Sequence, residues 1–156
     1  MSRLPNVDSA VLALQLPDAI DLPTLLNCVE TVYGKKLQLT PVSGKGWGKT
    51  TGLWVDAAEV GFIVYRTCDP VLYQQHSICH ELGHIILRHT GCTVLNEKSA
   101  ENLFQTVGKK RGVVSLLARG NDANIQELEA EAIAFKLAEK LHPPYRESSV
   151  DEVFGL

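Results

Sequence analysis

His80, Glu81 and His84 lie in the run HSICHELGHIILRHTG (residues 76–91) and make the spacing H-E-x-x-H. On an α-helix, residues four apart sit about 40° apart around the axis, so both imidazoles can reach one ion. Glu81 is turned by about 100° from His80. It misses the ion but can reach a water beside it. Zinc lowers the pKa of such a water toward about 7. A carboxylate at that place can take the proton and pass it to a leaving amine. The same spacing also occurs in ordinary amphipathic helices, so a third ligand has to come from elsewhere in the chain.

One class of zinc enzyme uses the longer motif H-E-x-x-H-x-x-G-x-x-H with a later methionine turn. Leu87 stands at its glycine position, Thr90 at its last histidine, and Met1 is the only methionine. That class is excluded. Another class takes a glutamate from a later helix. The segment IQELEAEAIAFKLAEKL (125–141) offers four glutamates. On a wheel of about 100° per residue, its apolar residues form one broad arc that includes Glu127 and Glu131. Glu129 falls opposite, beside Gln126, Lys136 and Lys140, and is expected to be solvated. A buried carboxylate is costly unless it is paired or holds a metal. Glu127 is therefore the expected third ligand. Glu131 would accept the second N–H of a ligand histidine. The competing reading pairs both with arginines such as Arg88 or Arg119.

The elements around these residues follow from local signals. Asp21, Pro23 and Gly34 bracket a helix, and LQLTPV (37–42) alternates as a strand does. TGLWVDA and GFIVYRT read as two strands joined by a turn at 58–61. Asp69-Pro70 starts the motif helix, which is expected to reach about His89 and stop at Gly91. The last helix should run from about Asn124 to His142, before Pro143-Pro144. Residues 1–20 read as a poorly anchored arm, 21–143 as the domain, and 144–156 as a tail. Residues 96–120 give no clear pattern. The fold expected is α+β: a short, mostly antiparallel sheet packed on the motif helix and a C-terminal glutamate-bearing helix.

Other features carry less. SGKGWGKT (43–50) looks like a phosphate-binding loop but has Ser43 where glycine is needed, and a strand follows it. It reads as a flexible loop. His76 and Tyr73, near the start of the motif helix, are candidates for contacting substrate or a developing oxyanion; a packed or partly exposed His76 is the plainer reading. Arg88 and Tyr145 are further oxyanion candidates. Cys79, His89 and His142 read as structural, with His89 facing away from the motif. Net charge is −3, and the one basic cluster is Lys109, Lys110 and Arg111, which argues against direct nucleic-acid binding. The four cysteines form no C-x-x-C pair. The stretch AVLALQL is too short for a membrane span and lacks a basic flank for a signal peptide. A reduced, cytoplasmic protein is expected.

HELGHIILRH followed by ELEAEAIA resembles the ImmA/IrrE family of metallopeptidase domains, whose pattern is H-E-[LF]-[GA]-H and then E-x-E-A-[ND]-x-F-A. Glu127, Glu129, Ala130 and Ala134 match it. Glu131 stands where Asn or Asp is usual, and Ile133 where Phe is usual. The resemblance spans roughly residues 20–142. It implies a zincin-like fold and a zinc-dependent endopeptidase. The family's usual partner is a helix-turn-helix repressor, cleaved in stress-response or mobile-element regulation. No room is expected here for an attached DNA-binding domain. The alternative is a regulatory binding module, of antitoxin or anti-repressor type, that keeps the fold and cleaves little. Retention of Glu81 favours the enzyme, because binding alone needs no general base.

Overall fold

A computed structural model of the chain describes residues 5–45, 47, 51–89, 92–93 and 123–141. The expectations for residues 96–120 and for the tail lie outside them. The fold is α+β. Helix α1 spans Pro5–Ala13 and α2 spans Leu22–Tyr33. Strands β1 (Lys36–Val42), β2 (Gly52–Asp56) and β3 (Val60–Arg66) follow, then α3 (Val71–Ile86), the two-residue β4 (Cys92–Thr93) and α4 (Ala123–Lys140).

Local signals fix the ends of α2. The Asp21 carboxylate accepts from Thr24 N at 2.9 Å, satisfying one of the helix's unpaired first-turn donors. Gly34 closes the other end in the left-handed region (φ 85°), and its N–H donates to the Glu30 carbonyl. Next to it, Tyr33 and Lys35 both bond the Asp56 carboxylate, which ties this corner to the end of β2.

The sheet has the order β1-β3-β2-β4. It is mixed, which corrects the mostly antiparallel sheet expected from sequence. β2 and β3 form the antiparallel hairpin, but β1 runs parallel to β3 and β4 parallel to β2. The tight turn at 57–59 returns β3 to the place between β2 and β1. Pro41 lies on β1, an outer strand, where its missing N–H breaks no ladder among the described residues. Within the segment expected to be a flexible loop, Trp47 is buried and joins Leu53, Val55, Phe62 and Val64 on one face of the sheet.

The other face carries Trp54 and Ile63 and packs against α3 through Ile78, Cys79, Leu82 and Ile85. Helix α4 lies on the same core with Ile133, Ala134 and Leu137. The segment expected to be a loose arm belongs to this core too. Val7, Leu14 and Ile20 are buried, and Ile20 N donates to the Lys140 carbonyl at 2.9 Å. Burying such a side chain contributes about 1.5–3 kcal/mol, enough to hold a short helix that its own propensity would not.

Gly83 sets the distance between α3 and α4. A Cβ there would lie 2.8 Å from the Ala130 carbonyl oxygen and 3.0 Å from its Cα. Both are backbone atoms and cannot swing aside. Gly83→Ala should therefore cost about 1–3 kcal/mol, the usual range for overpacking a core. Urea denaturation should show a lower midpoint with an unchanged slope; an unshifted midpoint would contradict the close approach.

Candidate metal centre

Helix α3 presents His80 and His84 on one flank, and α4 brings Glu127 against them. Glu127 Oε2 lies 2.8 Å from His80 Nε2 and 3.4 Å from His84 Nε2. Ligands at zinc–nitrogen and zinc–oxygen bond lengths around a tetrahedron are about 3.3 Å apart. The Glu127 oxygen thus stands about as far from each imidazole nitrogen as two ligands of one metal ion stand from each other. Glu81 is buried on the same turn, and its ligand atom lies within 4.8 Å of those of His80 and His84. This His–Glu–His group could hold a metal ion. The donor set, imidazole and carboxylate, suits a divalent transition metal.

The wheel put Glu127 inside a buried apolar arc, whereas the structure sets it at the rim of the buried stripe. The buried stripe of α4 is narrower than the apolar arc: Ala130, Ile133, Ala134, Leu137 and Leu141 are buried, while Ile125, Leu128 and Phe135 are exposed. The Glu127 and Glu131 side chains are 42% and 45% exposed. They are rim residues, not buried charges. Glu127 lies about 60° from Ala130 around the helix, on the edge that faces the α3 histidines.

Glu131 does not take the place expected of it. Its Oε1 is 3.8 Å from His80 Nδ1, beyond hydrogen-bond length. It bonds His76 Nε2 instead, because His76 stands one turn earlier on the same flank of α3. His76 is half-exposed and its ring lies 5.3 Å from that of Phe135. Tyr73 projects outward at the first turn and is 67% exposed. His80 is pulled two ways. Burial lowers its pKa, but the hydrogen bond it donates to Glu127 and the charges of Glu81, Glu127 and Glu131 raise it, and the net direction is up. Burial alone pushes the Cys79 thiol up to about 12, so it stays protonated beside the site.

Two residues read as bystanders belong to the site. The motif helix stops at Ile86, not His89. Arg88 then adopts φ 60°, the His89 N–H donates to the His84 carbonyl, and the chain folds back. His89 is thereby buried, with its Nδ1 2.9 Å from His84 Nδ1. Glu129, expected in solvent, reaches His89 Nε2 at 3.3 Å with its side chain only 15% exposed. No local signal marks this turn: the left-handed residue is an arginine, and the first glycine comes only at 91. His142, Tyr145 and Arg119 lie outside the described residues.

The chain matches no protein-family model, no curated protein and no solved structure.

Two outcomes follow for metal binding. Glu127→Gln should weaken it far more than Glu131→Gln, because only Glu127 faces both histidine Nε2 atoms. Equal losses in zinc titrations would contradict this assignment. The second concerns pH. The protonated His80 ring is favoured in the metal-free fold, so its contribution to stability is complete below the unfolded value of about 6.5 and is lost as pH rises through the raised folded value. Metal needs the neutral ring. Zinc affinity should fall as pH drops through that raised value, with protons released on binding; a flat profile across about pH 5–8 would refute it.

Proposed function

We propose that the protein is a zinc-dependent endopeptidase with a zincin-like domain, related to the ImmA/IrrE metallopeptidases and acting in the cytoplasm on a protein partner such as a helix-turn-helix repressor. One observation carries the reading: His80, His84 and Glu127 converge from two helices beside a buried Glu81. His80, His84 and Glu127 would hold zinc through two nitrogens and one oxygen, a set that leaves a fourth position open. Zinc so held supplies a Lewis acid and lowers the pKa of water toward about 7.

The chain's own residues do the rest. Glu81 takes the proton of the attacking water and returns it to the leaving amine. Its burial, with β2 close by, keeps bulk water from competing for that proton. A Cβ at Gly52 would meet Ser77 Cβ at 3.3 Å and Glu81 Cγ at 3.5 Å, so β2 runs directly past the base. The substrate backbone would align on the edge of β2 by strand addition. β3 cannot serve, since β1 and β2 occupy both its edges. Among the described residues, β4 pairs only with Val55 and Asp56, leaving Gly52–Trp54 without a strand on that side. Half-exposed His76 and exposed Tyr73, on the first turns of α3, stand where a substrate chain would pass. Among the described residues no helix is long and apolar enough to cross a membrane.

The experiment is Glu81→Gln. Zinc content should be unchanged, because three other side chains hold the ion. Cleavage of a co-purifying partner should fall about 100-fold or more, the scale of a positioned general base, while partner binding persists. Full cleavage with zinc still bound would sink the catalytic role of Glu81 and favour a binding module.

A further inference from the structure

Three groups stand in line behind the metal-facing nitrogen of His84. His84 Nδ1 lies 2.9 Å from His89 Nδ1, and His89 Nε2 lies 3.3 Å from Glu129 Oε1. His84 is fully buried and His89 is 9% exposed. With neutral rings, two arrangements of protons are open. If His89 carried its hydrogen on Nδ1 and donated to His84, its bare Nε2 would face the Glu129 carboxylate, acceptor against acceptor. If His84 carries its hydrogen on Nδ1, it donates to His89 Nδ1, and His89 donates from Nε2 to Glu129. Only the second arrangement satisfies both contacts. It leaves the lone pair of His84 on Nε2, which faces Glu127 at 3.4 Å, acceptor toward acceptor, a contact that a cation between the two would satisfy.

We propose that His89 and Glu129 are positioning residues: a carboxylate–imidazole relay that fixes the tautomer and ring orientation of His84, so that Nε2 is presented to the ion. The proposal rests on the reading of His80, His84 and Glu127 as the residues that hold it. Ligand histidines commonly bond a carboxylate directly through the second ring nitrogen. Here a second imidazole is interposed. Glu129 lies about 100° from Ala130 on the side of α4 away from Glu127, where His89 fills the gap to His84. The backbone is bent to put it there. Arg88 holds φ 60°, a conformation that a side chain rarely adopts unless its surroundings enforce it. A merely packed histidine would need neither the strained turn nor a carboxylate behind it.

The test uses the full-length chain and variants His89→Ala, His89→Asn and Glu129→Ala. Long-range nitrogen–proton NMR on the metal-free wild type reads the His84 tautomer directly, with no mutation to disturb the fold. The expected state is a single Nδ1–H form. Zinc affinity, measured by competition with a chromophoric chelator, should fall about 10–100-fold in His89→Ala and by less in Glu129→Ala. His89→Asn should recover most of the loss, since its Oδ1 falls near the position of Nδ1 and accepts the same hydrogen. An Nε2–H form of His84, or equal zinc affinity in wild type and His89→Ala, overturns the relay. Failure of the wild type itself to bind zinc overturns instead the reading of the three ligands, and the relay loses its purpose with it.

Discussion

The close approach of α3 to α4 at Gly83 and Ala130 is the constraint on which the site depends. With hydrogen at Gly83 and a methyl at Ala130, the backbones nearly touch. Glu127 is then close enough, one turn before Ala130, to set one oxygen between the two motif histidines. The same contact serves the other flank, where Glu129 reaches His89. A wider helix pair would separate both carboxylates from the imidazoles they face. Packing at one glycine thus fixes electrostatics on both sides of it.

The sheet supplies a rigid floor for this pair. β3 lies between β1 and β2, and its Ile63 shares the core with Leu82, Cys79 and Ile78 of α3. That contact fixes the rotation of α3, and with it the flank on which His80 and His84 stand. The corner of α2 and β1 is held to the sheet by Tyr33, which sits so close to Gly61 that a Cβ there would lie 2.6 Å from its ring. Burial and the Asp56 carboxylate both raise the Tyr33 pKa, so the phenol stays a donor. From the opposite end, α1 and Ile20 close the core against α4. Residues far from the candidate site therefore decide how firmly its side chains are held.

Charge in the site is arranged in pairs. His76 meets Glu131, His80 meets Glu127, and His89 meets Glu129. Each of these imidazoles, from half-exposed His76 to buried His89, has a carboxylate at hand, which limits the cost of gathering so many ionisable groups. The carboxylates alternate along α4 at 127, 129 and 131, so successive ones diverge around the helix and address different histidines.

The sequence by itself determined which residues could do chemistry and which helices carry them. H-E-x-x-H is a local pattern, and helical geometry alone puts His80 and His84 on one flank. Asp21, Gly34 and Pro70 end or start helices through their own side chains or backbone preferences, so α2 and the start of α3 were legible too. The wheel singled out Glu127, which the structure sets beside His80 and His84, but it overstated the burial, because a wheel counts apolar residues and cannot see which of them a neighbour covers. The tertiary structure alone decided the rest. The parallel pairing of β1 and β3 depends on where a loop returns the chain. The anchoring of residues 5–20 depends on contacts with α4 that no local window contains. His89 and Glu129 join the site through a strained turn at Arg88 and a helix contact at Gly83. Strain of that kind is sustained by packing from elsewhere in the fold, which leaves no mark on the residues that bear it.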